Sequence, residues 1–189
     1  MKNKKFTPVL YHIIKLGLFF VAAIIIFIFR HQIVVNHLRI SIGILMLVYG
    51  IDEILFEVLF HGLHFYKKSK TYLGFVEILF SFALLFGSIQ FEYVCIIWAT
   101  WSIIRESYEV KEILTEIEYL VPKIISGVES IAVIVLSIML ILNPTEHHAM
   151  THIYLLLLEL PLNPLVPLID ASIHYYKTNK GETEETKSE

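Results

Sequence analysis

The sequence contains few charged residues for its length. Charged residues make up 17% of the 189 positions and hydrophobic residues 56%, with a mean hydropathy of +0.68. A soluble globular protein of this size needs more polar residues to cover its surface, and a disordered chain contains far fewer apolar ones. The composition therefore predicts an integral membrane protein.

The sequence also lacks the motifs on which most enzymes depend. Cys95 is the single cysteine, which excludes an intrachain disulfide and a thiolate metal cluster. There is no glycine-rich phosphate loop, no serine nucleophile elbow and no His-Glu-x-x-His zinc motif. We therefore expect neither an enzyme nor a bound cofactor, and the net charge of -3 does not indicate a nucleic-acid partner.

Long apolar stretches are abundant instead. Most of them approach the roughly 20 residues that a bilayer-spanning helix requires. They lie at about 9–29, 40–60, 72–90, 91–104 with an extension after residue 104, 121–142 and 151–173. The sequence therefore predicts an all-α, polytopic membrane protein with six transmembrane helices in a single domain over residues 1–177, with the lipid bilayer as its immediate partner.

The distribution of basic residues predicts the orientation of these helices. The start MKNKK followed by LGLFFVAAIIIFIF imitates a secretory signal, but RHQ follows in place of a small-residue cleavage site, so we expect a retained first helix. With the N-terminus inside, only Arg30 and Arg39 among the Lys and Arg residues fall outside, which satisfies the positive-inside rule. We predict a bacterial cytoplasmic membrane protein with both termini cytoplasmic and a disordered tail over residues 178–189.

Similar segments recur along the chain. HFYKKSK (64–70) returns as HYYKTNK (174–180), and LGFVEI (73–78) resembles SGVESI (126–131). These matches predict three parallel helical-hairpin repeats at approximately 9–66, 71–119 and 121–176. At a spacing of 53 residues, Ile51, Asp52 and Glu53 also fall on Ile104, Arg105 and Glu106. This weaker match, taken alone, is explained by the restricted composition of membrane helices.

Three short hairpins, an LNP turn (142–144) and the junctions in LVYGIDEI and WATWSIIRES resemble the HdeD-like acid-resistance membrane proteins, a family built from a short repeat of unknown function. The resemblance implies a six-helix inner-membrane protein, in some members linked to stress and survival in acid, with no catalytic residues to carry over. This chain departs from that family by carrying more carboxylates in its even-numbered helices.

Carboxylates interrupt the apolar stretch GIDEILFEVLFHGLHFYKK (50–68) and later spans. A charge at mid-membrane costs roughly 2.5–3.5 kcal/mol, so such side chains must face one another, a cavity or water. Counting helix rise places most of them in the cytoplasmic half of the bundle. The sequence predicts an intramembrane polar cluster made of Asp52, Glu53, Glu57, Arg105, Glu106, Glu109, Glu159 and Asn163.

Arg105 is the one basic residue in the central part of the spans, and we expect it to pair with Asp52, Glu53 or Glu106. In one interpretation Arg105 with one or two acids only holds the hairpins together. The side chains of Glu57, Glu77, Glu109 and Glu129 then reach the inner headgroups. In the other, the acids line a vestibule that holds a proton or small cation. Two functional hypotheses follow. The first is a non-enzymatic stress or acid-resistance protein whose inner carboxylates and outer histidines respond to protons, and the second is a small cation or proton-coupled transporter or channel.

Three prolines in the last span, Pro161, Pro164 and Pro167, remove backbone donors and should bend or interrupt the helix. Carbonyls freed near Glu159 and Asn163 could coordinate a cation at membrane depth. The alternative is a kink that only fits a long helix into the bilayer.

Histidines gather on the outer side of the predicted topology. His148 and His152 are four residues apart and could hold Zn²⁺, with Glu146 as a third ligand. These histidines could instead sense pH, or be ordinary polar loop residues. The candidate outer site consists of Glu146, His147, His148 and His152.

Overall fold

The computed structural model describes residues 8–62, 66, 69–115, 117 and 119–185, with side chains over the same residues except Pro8, His61, Ser69, Glu112 and 175–185. Within these residues the regular structure is helical and no strand occurs, so the all-α prediction is confirmed. Most of the HFYKKSK segment and the side chains of HYYKTNK after His174 lie outside the described residues.

Six α-helices and one π-helical turn make up the described chain. Their bounds are α1 Pro8–Gln32, the π-helical turn Ile33–His37, α2 Leu38–His61, α3 Ser69–Phe86, α4 Phe91–Thr115, α5 Leu120–Leu142 and α6 Glu146–Glu185. Three stretches, Val9–Phe60, Leu120–Leu142 and Glu146–His174, are long and apolar enough to cross a membrane.

The stretch Val9–Phe60 is a hairpin and not one straight helix. The Tyr11 hydroxyl donates a hydrogen bond to the Asp52 carboxylate, and Lys15 Nζ lies 2.6 Å from Asp52 Oδ2. In a straight helix residues 41 positions apart would be separated by about 60 Å. The chain therefore reverses at the π-helical turn, where His37 leaves helical geometry at φ -129° and ψ 12°.

The remaining neighbours are also antiparallel. The contact of Ser137 with His152 pairs the end of α5 with the start of α6, and the contact of Arg30 with Tyr154 pairs the end of α1 with the same part of α6. The most extensive packing joins α2 to α3, α6 to α1 and α4 to α5. Consequently the starts of α1, α3 and α5 and the ends of α2, α4 and α6 lie together, at what we call the vestibule end.

α2 and α3 approach one another closely at two glycines. A Cβ atom on Gly50 would lie 2.6 Å from the Gly74 carbonyl oxygen, and one on Gly74 would lie 2.8 Å from the Gly50 carbonyl oxygen. Small residues at a crossing let two backbones meet and gain van der Waals contact where lipid offers no hydrophobic driving force. The crossing fixes α3 against α2 beside Glu77.

The exterior of the bundle is apolar on most helices. A soluble protein seldom exposes contiguous apolar patches of this extent, whereas lipid-facing helices require them. Side chains more than half exposed include Leu18, Ile28, Leu79, Ile131 and Leu158. The interior combines Met46, Leu84, Trp98 and Leu140 with buried polar groups.

The prolines of α6 do not interrupt it. The helix is continuous from Glu146 to Glu185 with Pro161, Pro164 and Pro167 inside it, and it extends into the segment 178–189. The carbonyls four residues before each proline, at Leu157, Leu160 and Asn163, still lose their usual helical donors.

Candidate functional site

Arg105 lies fully buried at the centre of the polar side chains. Its Nη1 is 3.3 Å from Glu77 Oε1, its Nη2 is 2.9 Å from Glu109 Oε1, and its Nε is 3.7 Å from Glu159 Oε1. The guanidinium carbon also lies 3.6 Å from the centroid of the Tyr49 ring, a cation–π contact. Arg105 thus ties α4 to α2, α3 and α6.

Each acid that pairs with Arg105 also accepts a hydrogen bond from a neutral donor. Trp101 Nε1 donates to Glu77 Oε1 over 3.0 Å, and Asn163 Nδ2 donates to Glu109 Oε1 over 3.0 Å. The Tyr49 hydroxyl donates to Glu159 Oε1 over 3.4 Å. These bonds orient the three carboxylates toward the guanidinium.

A second group of carboxylates lies beside the first. One oxygen from each of Glu106, Glu129 and Glu159 falls within 4.8 Å of the other two. Oxygens that ligate one Ca²⁺ at 2.3–2.6 Å lie at most about 5 Å apart, so a single hard cation could bridge this triad. Glu106 is fully buried, and its carboxylate lies beside the Ser130 hydroxyl.

Negative groups outnumber positive ones at this site. Five carboxyl groups surround one guanidinium; we call Arg105 with Glu77, Glu106, Glu109, Glu129 and Glu159 the Arg105 cluster. Ionised carboxylates without a counter-charge are costly inside a membrane. The cluster therefore requires protons on some carboxyls or a bound cation.

A polar cavity connects the cluster to the vestibule end. Its volume is about 430 Å³, and we call it the vestibule. Its charged lining comprises Lys15, Asp52, Glu53, Lys70, Glu109, Glu129 and Asp170. Since Glu109 and Glu129 belong both to the vestibule and to the cluster, the cavity provides a route from the vestibule end to the carboxylate triad.

The structure brings together part of the set predicted from sequence. Arg105, Glu106, Glu109, Glu159 and Asn163 meet as described above. Asp52 instead pairs with Lys15, and Glu53 lines the vestibule. Glu57 is buried on α2 but is not among the residues lining the vestibule. The partners of Arg105 therefore differ from the expected Asp52, Glu53 or Glu106.

Two acids outside the predicted set complete the cluster. Glu77 and Glu129 were expected to reach the inner headgroups in the purely structural interpretation. Both belong to the similar segments LGFVEI and SGVESI, but one position apart, since Glu77 aligns with Ser130 and Glu129 with Val76. An acid at nearly the same depth in two hairpins was the signal that could have placed them together. Nothing in the sequence pointed to the stacking of Tyr49 on Arg105.

The outer histidines have separate partners. His152 is buried, with Nε2 hydrogen-bonded to Ser137 Oγ at 2.9 Å and its ring 4.5 Å from that of Trp98. His148 Nδ1 donates to the Asn143 carbonyl over 2.7 Å. Glu146 and His147 are exposed. Among the described residues, the triad Glu106, Glu129 and Glu159 is the one group of three or more potential ligands close enough to share an ion.

Comparison of the chain with protein-family models, with curated proteins and with solved structures finds no match. The resemblance to the HdeD-like proteins therefore stays a prediction from the quoted motifs.

Proposed function

We propose that the chain is a non-enzymatic, multi-pass membrane protein that binds protons or one small hard cation at the Arg105 cluster. The observation that carries this proposal is the convergence of Glu106, Glu129 and Glu159 within 4.8 Å beside a guanidinium that other contacts already engage. Carboxylate oxygens are the ligands that Ca²⁺, Mg²⁺ and Mn²⁺ prefer.

We further propose six membrane spans arranged as three hairpins around a central axis. The cyclic order of packing, α2 on α3, α4 on α5 and α6 on α1, supports this arrangement. In a ring of parallel hairpins the second helix of each unit packs on the first helix of the next. Lys15 and Lys70 at the vestibule end favour a cytoplasmic position for that end.

The site has two ways of lowering its charge. Protons on Glu106 and Glu129 neutralise the triad when no cation is bound, and a divalent cation entering through the vestibule replaces them. Protons and the cation therefore compete for the same oxygens. Acidification should release the cation, which gives a physical basis for the role in acid stress that the family resemblance implies.

Transport is a second candidate. A carrier needs polar groups beyond the cluster, and the buried, hydrogen-bonded Ser137–His152 pair supports this candidate. His152 lies seven residues from Glu159 along α6, or about 10 Å toward the opposite end of the bundle. Cation-dependent proton flux in proteoliposomes would favour transport, and saturable binding without flux would favour a one-sided binding site.

Cation binding should raise the thermal stability of the detergent-purified protein. Mn²⁺, Mg²⁺ and Ca²⁺ are titrated separately, and at a concentration 100-fold above the dissociation constant the expected gain is about 2.7 kcal/mol. The double substitution Glu106→Gln and Glu129→Gln should abolish the gain. Lowering the pH should reduce it in the unsubstituted protein because protons then occupy the carboxylates.

Glu92→Gln is the matched control for this titration. Glu92 is an exposed glutamate in the first turn of the same helix as Glu106, so its substitution should leave the gain unchanged. An undiminished gain in the double variant, or no gain with any of the three cations at any pH, would rule out a cation at the triad.

A further inference from the structure

An apolar groove runs between α1 and α2. The two helices meet at the π-helical turn and at the Tyr11–Asp52 contact, and between these points they enclose a volume of about 730 Å³. Ile153, Leu156 and Leu160 of α6 form its floor. Apart from Ser41, its polar lining is confined to Tyr11, Lys15 and Asp52 at one end.

The polar end of the groove is also part of the vestibule. Tyr11, Lys15 and Asp52 line both cavities, so the apolar groove opens into the charged vestibule. Along α1 the groove extends from Tyr11 to Ile26, which is about 22 Å at 1.5 Å per residue. The hydrocarbon of one leaflet is about 15 Å thick, so the acyl chain of a lipid fits in the groove while the lipid headgroup reaches the vestibule.

The charges at the junction indicate the headgroup. Lys15 and Lys70 supply positive charge for a phosphate. Asp52, which also pairs with Lys15, supplies together with Glu53 and Asp170 negative charge for an ammonium group. Charge-assisted hydrogen bonds of both kinds require a zwitterionic headgroup with N–H donors. A purely anionic headgroup has no ammonium group to pair with the surplus carboxylates of the vestibule.

We propose that the groove and vestibule together bind one aminophospholipid of the phosphatidylethanolamine type, with an acyl chain between α1 and α2 and the headgroup at Lys15 and Asp52. This proposal rests on the proposed function for the membrane orientation of the vestibule end, but not on cation binding at the triad. A lipid bound there would lie across the route from the vestibule end to Glu109 and Glu129, and would thereby control access to the cluster.

Native mass spectrometry of the delipidated protein tests this proposal. Phosphatidylethanolamine, phosphatidylglycerol and hexadecylamine are added separately, the two phospholipids having the same acyl chains. The unsubstituted protein should retain phosphatidylethanolamine at least about tenfold more tightly than phosphatidylglycerol, which corresponds to one charge-assisted hydrogen bond. Equal retention of the two phospholipids, or tighter retention of hexadecylamine, would overturn the proposal without the use of any variant.

Substitutions test the position of the lipid. Val48→Trp places a large side chain in the groove and should abolish retention, as should Ile44→Trp one turn away. Val135→Trp is the control, because Val135 is equally exposed on α5 and lies outside the groove. Retention by both groove variants at the level of Val135→Trp would overturn the proposal.

The cation titration, repeated on Val48→Trp, separates this proposal from the proposed function. A preserved cation response with lost lipid supports both. If cations do not stabilise the unsubstituted protein but its lipid selectivity is intact, only the proposed cation site is ruled out.

Discussion

Arg105→Met should lower the free energy of unfolding by about 3–5 kcal/mol, the usual consequence of removing one partner from a buried ion pair. Methionine fills a similar volume and makes an apolar contact with the Tyr49 ring in place of the cation–π contact. The lost stability therefore measures the cost of leaving the carboxylates of Glu77, Glu109 and Glu159 buried without the guanidinium. Thermal unfolding in detergent, followed by size-exclusion chromatography, measures the change.

Arg30→Met is the matched control for this substitution. Arg30 is at the surface, where it contacts Tyr154 and the Phe27 carbonyl, and exposed contacts of this kind contribute at most about 1 kcal/mol. The deficit of Arg105→Met should shrink at low pH because protonated carboxyls no longer repel. If Arg105→Met costs no more than Arg30→Met at neutral pH, Arg105 does not hold the cluster together.

Gly74→Ala should destabilise the protein by about 1–3 kcal/mol through overpacking. The added Cβ atom would lie 2.8 Å from the Gly50 carbonyl oxygen, a backbone atom that cannot swing aside. α2 and α3 must therefore separate. Gly50→Ala should have a similar effect, and the two substitutions together should cost less than their sum because one separation relieves both clashes. Thermal unfolding in detergent measures all three variants.

Gly17→Ala is a control for which we expect no loss of stability. A Cβ atom on Gly17 meets nothing within 4 Å, and alanine is favoured over glycine in a helix by up to about 1 kcal/mol. The variant should be as stable as the unsubstituted protein or more so. Equal changes for Gly17→Ala and Gly74→Ala would show that the close crossing of α2 and α3 does not exist.

Apolar patterning was enough to locate the helices. The predicted stretches 40–60 and 121–142 nearly coincide with α2 and α5. The fourth apolar stretch ends at Ile104, and α4 continues through the predicted extension to Thr115. The charges after Ile104 did not end the helix because Arg105 and Glu106 are on a buried face, where partners from other helices meet them. Local hydropathy carries no information about such partners.

The candidate site was predicted only in part for the same reason. Counting helix rise gives the depth of each side chain, and it put Arg105, Glu109 and Glu159 in one predicted cluster. It could not tell which neighbour faces Arg105, because that depends on the order of helices around the bundle. α3 packs on α2 at the glycine crossing and brings Glu77 to the guanidinium, whereas Asp52 points toward α1 and Lys15.

The central claim is that the buried carboxyls of the Arg105 cluster exchange protons for a cation. Proton release on addition of Mn²⁺ to the protein in unbuffered detergent solution measures this exchange directly. We expect saturable release of about one or more protons per Mn²⁺ bound, because a carboxyl must ionise before it ligates a metal. The release should be absent after Glu106→Gln and Glu129→Gln and unchanged after Glu92→Gln. Mn²⁺ binding without proton release, or the same release from the double variant, would contradict the claim.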